Sequence, residues 1–281
     1  MIRIAAVADL HAGPHSRGAL APLYQNLVKD ADLLLLGGDL TREGDPGDAE
    51  LLVKELASVS VPIVAVLGNH DYESGQIEAV GAVLRDAGVH LLDRSQVTLD
   101  VAGKRVAIAG TKGFGGGFGA NLADDFGEPE MKAWIRHAEA DAEALEGVAS
   151  SMVGDIRLVL LHYSPVIDTL AGERLELYPF CGNSMLAAAI DRAGADLVIH
   201  GHAHHGSPAG VTPGGVPVRN VAQPVIRKPY EVFLLDDQPL PAGRGWRRRL
   251  RGGNGERDEV DAPREGRQRE WRPRWPRRSR E

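Results

Sequence analysis

The stretch Ile2-Arg3-Ile4-Ala5-Ala6-Val7-Ala8-Asp9-Leu10-His11 decides the fold. Its apolar run reads as a buried strand, and it ends abruptly in a polar cluster, Asp9-x-His11. The same device recurs downstream. Asp32 to Gly37 is a near-continuous apolar strand followed by Gly38-Asp39, and Pro62 to Leu67 is a third, followed by Gly68-Asn69-His70-Asp71. Helical patterns lie between them: Gly18 to Lys29, then Asp48 to Val59 with Leu51, Leu52, Leu56 and Val59 at helical spacing. Glu73 to Ala87 follows, with Gly88 as its stop. Alternation of this kind predicts right-handed βαβ units and a mainly parallel sheet.

The second half is patterned differently. Gln96 to Val101 and Arg105 to Ala109 flank Ala102-Gly103-Lys104, a hairpin signal. A helix is expected over Glu128 to Gly147, after the glycine-rich segment Gly113 to Gly119, which reads as a flexible loop over the site. Arg157 to Leu161 and Asp196 to Ile199 read as strands, separated by a loop and by a helix near Ser184 to Ala193. Val216 to Val221 and Tyr230 to Leu235 complete a β-rich end. A parallel half followed by a half with hairpins implies an α/β fold of two packed mixed sheets with helices outside.

Composition sets limits on function. With 281 residues, 43% hydrophobic and 25% charged, the chain is an ordinary globular one. No apolar run approaches the roughly 20 residues of a membrane span. The run Ile4 to Ala8 is also too short for a secretory signal, and Cys181 is the only cysteine. Both point to a cytoplasmic protein. The net charge of −7 is an average of unlike parts, since residues 242–281 carry 14 Arg against 7 acidic residues. That segment has almost no aliphatic residues and reads as a disordered Arg-rich tail behind a domain of residues 1–241. With Trp246, Trp271 and Trp275 it could bind nucleic acid through phosphate pairing and stacking, but its acidic residues favour a solvated tail.

Five apolar strands ending in Asp, Asn or His are hard to explain by packing. The last two are followed by His162 and by His200-Gly201-His202-Ala203-His204-His205. Open α/β sheets bind ligands beyond the carboxyl ends of their strands. Residues i and i+2 of an extended chain point to one side, so Asp9 and His11 can converge on one ion, as can His202 and His204. Gly37, Gly38, Gly68 and Gly201 leave room for close backbone approach. The donors are imidazole, carboxylate and amide oxygen, which suit Mn, Fe, Zn, Co or Ni and not a thiolate zinc site. Seven such ligands are too many for one ion and suit two that share a carboxylate.

The set Asp9-x-His11, Gly38-Asp39, Gly68-Asn69-His70-Asp71, His162 and Gly201-His202-x-His204 resembles the calcineurin-like metallophosphoesterase superfamily, with all five blocks in order. The resemblance implies a four-layer α/β/β/α sandwich with a dinuclear centre of two divalent metal ions. By motif position, Asp9, His11, Asp39 and His204 would hold the first metal, and Asp39, Asn69, His162 and His202 the second. His70 would be the catalytic histidine near the leaving group, oriented by Asp71. The implied activity is hydrolysis of a small phosphoester, phosphodiesters favoured, through in-line attack by a bridging hydroxide. Asn69 would also contact substrate. Arg42 stands where the purple acid phosphatase branch carries a tyrosine ligand, so that branch is disfavoured; it is a surface residue or a phosphate contact. The alternatives are a non-catalytic scaffold of the same fold and a nuclease assisted by the basic tail.

Overall fold

A computed structural model describes residues 1–236. The expected domain end at 241 and the Arg-rich tail lie outside the described residues. Among the described residues, eleven strands form two sheets: β1 (Ile2–Val7), β2 (Leu33–Gly37), β3 (Ile63–Val66), β4 (His90–Leu91), β5 (Ser95–Val101), β6 (Lys104–Gly110), β7 (Ile156–Leu160), β8 (Leu197–His200), β9 (Ala209–Val211), β10 (Pro217–Asn220) and β11 (Glu231–Leu235). The first sheet has the order β11-β1-β2-β3-β4, and the second β5-β6-β7-β8-β10-β9. Both are mixed. β1 to β4 run parallel with β11 antiparallel at the edge, and β6, β7, β8 and β10 run parallel between antiparallel β5 and β9.

The period-two alternation of the strands builds the layers. Ile2, Ile4, Ala6 and Ala8 of the first sheet share one core with Val106, Ile108, Leu158, Leu160 and Ile199 of the second. The intervening residues face outward: Ala5, Val7, Leu34 and Leu36 pack with Leu52, Leu56, Val80 and Leu84, while Ala107, Ala109, Val159 and Val198 pack with Leu145, Leu186 and Ile190. Helices α3 (Pro46–Glu55) and α4 (Ile77–Asp86) therefore cover one side and α5 (Pro129–Ser150) and α7 (Ser184–Ala193) the other. The result is the expected α/β/β/α sandwich. Full burial of each Leu or Ile contributes roughly 1.5–3 kcal/mol, so two-sided burial explains why the central strands are nearly all apolar.

The structure moves several element boundaries. The helix expected over Gly18 to Lys29 is two single turns, α1 (Ala21–Tyr24) and α2 (Leu27–Asp30). The Glu55 carboxylate captures the N–H groups of Gly18, Leu20 and Ala21 from across the fold, which fixes that segment as a loop first. The helix expected from Glu73 starts only at Ile77, because Gly75 takes a left-handed φ of +72°. Asp45 caps α3 by accepting from the Gly47 N–H at 2.7 Å, ahead of the expected Asp48 start. The short turns α6 (Tyr178–Cys181) and α8 (Gln223–Ile226) carry no long-range sequence signal. No helix among the described residues is long and apolar enough to cross a membrane.

Candidate metal centre

The polar clusters converge where parallel strands of both sheets end. Asp9 and His11 follow β1, Asp39 follows β2, Asn69 and His70 follow β3, His162 follows β7, and His202 and His204 follow β8. Among the described residues three overlapping groups form: Asp9, His11 and His204; His11, Asp39 and His70; and Asp39, His162 and His202. Within each, the candidate ligand atoms lie within 4.8 Å of one another, and Asp39 belongs to two groups. Asn69 joins the third through Oδ1, 3.0 Å from His162 Nε2, which itself lies 3.4 Å from Asp39 Oδ1. Asp9 Oδ1 lies 2.9 Å from His204 Nε2. Cys181, free and buried, belongs to none of them.

The backbone bends to make this convergence. Asp9, His11, Asp39 and His202 have φ of 61°, 43°, 48° and 68°, the left-handed region that side chains other than glycine seldom adopt. Such strain costs about 1–3 kcal/mol per residue and persists where surrounding contacts enforce it. Here they do: His11 N donates to Asp39 O, Asp9 N to Gly38 O, and His202 N to the Asp9 carboxylate at 3.0 Å. Glycine supplies the remaining space. A Cβ on Gly68 would overlap the Asp39 carboxylate, and one on Gly38 would lie 2.5 Å from His162 Nδ1.

The imidazoles are set for coordination. His162 Nδ1 donates to the Gly37 carbonyl at 2.9 Å, which aims Nε2 at Asp39 and Asn69. His202 Nε2 donates to the Phe180 carbonyl at 3.1 Å, which leaves Nδ1 as the ligating nitrogen. A hydrogen bond from the far nitrogen is what orients metal-binding histidines in general. This donor set fits divalent cations.

Charge in the metal-free cluster is coupled. Burial pushes the Asp39 carboxyl up, but the His162 charge, its hydrogen bond and the His70 N–H outweigh burial and hold it below the ordinary range. Burial opposes a charge on His162, yet Asp39 beside it wins and lifts that imidazole to about 9. Burial then drives His202 down to about 3, with the His162 charge adding to the fall. His204 is raised by its hydrogen bond to Asp9. A cation must displace the His162 proton and whatever proton His204 holds, so uptake at neutral pH is expected to release about one proton or more. Apparent affinity should climb with pH and level off above about 9. Calorimetric titration in buffers of different ionisation enthalpy reads this directly; uptake without proton release contradicts it.

The sequence comparisons agree with this geometry. The profile described as calcineurin-like phosphoesterase matches residues 2–206. The chain belongs to the calcineurin-like phosphoesterase family. It is 27% identical over 176 residues to the uncharacterized protein YpbG of Bacillus subtilis, covering 62% of this chain and 51% of that one. It is 33% identical over 90 residues, 28% of this chain and 35% of the other, to the probable cyclic nucleotide phosphodiesterase syc0937_d of Synechococcus. The chain thus spans about half or less of the length of these relatives. A solved crystal structure superposes with a TM-score of 0.54 at 12% identity over 78% of this chain and 89% of the other, which speaks for the fold alone.

Within this calcineurin-like site, two expected residues sit differently from expectation. Asp71 does not reach the His70 ring. Its buried carboxylate accepts from Leu40 N (3.1 Å), Thr41 N (2.8 Å), Thr41 Oγ1 (2.6 Å) and Gly68 N (2.8 Å), tying the loop after β2 to the loop after β3. The His70 ring is held instead by the Arg42 carbonyl at 3.2 Å and by Glu73 at 3.1 Å, three residues along the same turn. Glu73 was legible only as a member of an expected helix. Arg42 touches His70 through its backbone, while its exposed guanidinium pairs with Glu43 at 2.7 Å. The glycine-rich segment is a stitched loop: Gly116 N donates to Pro179 O and Gly117 N to Gly182 O. His200 is a buried structural residue between Gly201 O and Thr169 Oγ1, pushed by burial to about 4 and therefore neutral.

Proposed function

We propose that the protein is a divalent-metal-dependent phosphodiesterase with a dinuclear centre. The observation that carries this reading is the position of Asp39, which groups with His162 and His202 on one side and lies 3.9 Å from Nε2 of His11, a member of the Asp9, His11 and His204 group, on the other. In it, Asp9, His11, Asp39 and His204 hold one cation, and Asp39, Asn69, His162 and His202 hold the other. Two such cations, when bound, activate water and neutralise the phosphoryl oxygens. The chain's own residues do the rest. Asn69 presents its amide to substrate at the rim of the cluster. Glu73 and the Arg42 carbonyl both lie against His70 Nδ1, at 3.1 and 3.2 Å, and leave Nε2 to carry a proton. From there His70 protonates the departing oxygen as the ester bond to phosphorus breaks. The relative described as a probable cyclic nucleotide phosphodiesterase supports a diester substrate.

Hydrolysis of bis-p-nitrophenyl phosphate with added Mn²⁺ tests the reading. His70→Ala is expected to lower turnover by roughly 10²–10⁴-fold while bound metal stays constant. Folded, metal-loaded wild-type protein that turns over no phosphodiester would refute it, and so would His70→Ala at wild-type rate.

A further inference from the structure

Among the described residues the sheets have four edge strands, β11 and β4 in the first and β5 and β9 in the second. β4 is two residues long, β9 three and β11 five, whereas β5 runs for seven. Natural edges are blunted by shortness, a proline, a lysine or a bulge, because unpaired backbone recruits another strand. β5 has none of these. Its sequence Ser-Gln-Val-Thr-Leu-Asp-Val pairs with β6 in unbroken register, from Ser95 opposite Gly110 to Val101 opposite Lys104.

The turn fixes which backbone groups face outward. Ala102 and Gly103 have φ of 49° and 75°, a two-residue hairpin turn, so Val101 and Lys104 form the hydrogen-bonded pair beside it. Bonding alternates from there. Ser95, Val97, Leu99 and Val101 direct their N–H and C=O groups at β6, while those of Gln96, Thr98 and Asp100 point away from it. Arg105 confirms the phase: it lies opposite Asp100, and its N–H and C=O bond to Asp155 on the far side of β6. Among the described residues, the outward backbone groups of Gln96, Thr98 and Asp100 meet no partner.

This edge complements a copy of itself. In an antiparallel pair with a two-fold axis at Thr98, Thr98 lies opposite the second copy's Thr98, and Gln96 opposite the second copy's Asp100. Each such pair exchanges two N–H···O bonds. It is the register that pairs all three outward residues. The Gln96 amide then lies beside a carboxylate that accepts from it, and no like charges oppose each other. Val97 lies beside Leu99 on the face that packs toward the core between the sheets. Thr98 and Asp100 are exposed. A peptide of unrelated sequence would meet the same backbone groups, but the matched side-chain pairs favour a second copy.

We propose that β5 is a homodimer interface, at which two copies of the chain join their second sheets edge to edge across a two-fold axis at Thr98. The proposal is independent of the reading of the metal centre.

Sedimentation equilibrium of the full chain over a concentration series is expected to show a monomer–dimer equilibrium. Thr98→Pro deletes an outward N–H without removing a bond to β6, and should return the chain to monomer. Gln96→Glu should weaken the dimer roughly tenfold, because its like-charge pair with Asp100 occurs twice across the axis. Adding Asp100→Asn to Gln96→Glu should restore it. Thr98→Cys reads the register: opposed Cα atoms of a bonded pair lie about 5.5 Å apart, within disulfide reach, so mild oxidation should give a reducible dimer. Asp100→Cys, also at an exposed position, would face Gln96 and should stay uncrosslinked. Three results would each overturn the proposal. One is a monomer at every concentration. Another is a dimer that survives Thr98→Pro, whether held by residues 237–281 or by another face. The third is equal crosslinking of the two cysteine variants.

Discussion

Asp39→Asn is expected to lower phosphodiester hydrolysis by roughly 10³-fold or more, since charge stabilisation by bound cations is worth several kcal/mol. The substitution keeps the side chain's volume and removes its charge. Asp39 is 1% exposed, groups with His162 and His202 and lies 3.9 Å from His11 Nε2, so both proposed cation positions lose their shared anion at once. In the metal-free protein the same change removes the partner that keeps His162 charged, and His162 should become a neutral buried imidazole. Bound metal measured by elemental analysis should fall with turnover. Turnover within tenfold of wild type, at full metal content, would contradict the assignment.

Asp71→Ala is expected to produce the largest loss of stability, about 3–5 kcal/mol, since each buried donor left without an acceptor costs roughly 1–3 kcal/mol. The carboxylate is 0% exposed and receives four hydrogen bonds from Leu40, Thr41 and Gly68. Its removal leaves three backbone N–H groups and a hydroxyl without an acceptor. It also unties the two loops that position Asp39 and Asn69, so turnover should fall along with the melting temperature. Asp71→Asn should fall between the two, because its Nδ2 would face an N–H it cannot accept from. His70→Ala makes the contrast, with turnover lost and unfolding by urea almost unchanged. An Asp71→Ala protein with wild-type stability and no turnover would restore a direct catalytic role for that carboxylate.

Much of this was legible in the chain itself, for physical reasons. Strands such as Leu33–Gly37 are buried on both faces, so they read as unbroken apolar runs, and a metal ligand placed directly after such a run stands out. Asp9, Asp39, His162 and His202 are therefore visible one strand at a time, and their order places them at one level of the sandwich. The role of Asp71 was not legible. A carboxylate that ties backbone together and one that orients an imidazole occupy the same place in the sequence, and only the positions of Leu40, Thr41 and Gly68 separate them. The loop between β1 and β2 is hidden for a related reason: Glu55, far along the chain, accepts the N–H groups of Gly18, Leu20 and Ala21 and so caps a turn that starts only at Ala21.

The Asp and His cluster is expected to bind divalent cations, and those cations to drive hydrolysis. Chelator-stripped protein titrated with Mn²⁺, with bound metal and turnover of bis-p-nitrophenyl phosphate followed in the same samples, addresses it most directly. Turnover should be absent from stripped protein and should rise in step with metal up to two equivalents per chain, as expected for two cations sharing Asp39. Stripped protein that keeps its turnover, or refilled protein that binds metal without gaining any, would contradict the claim.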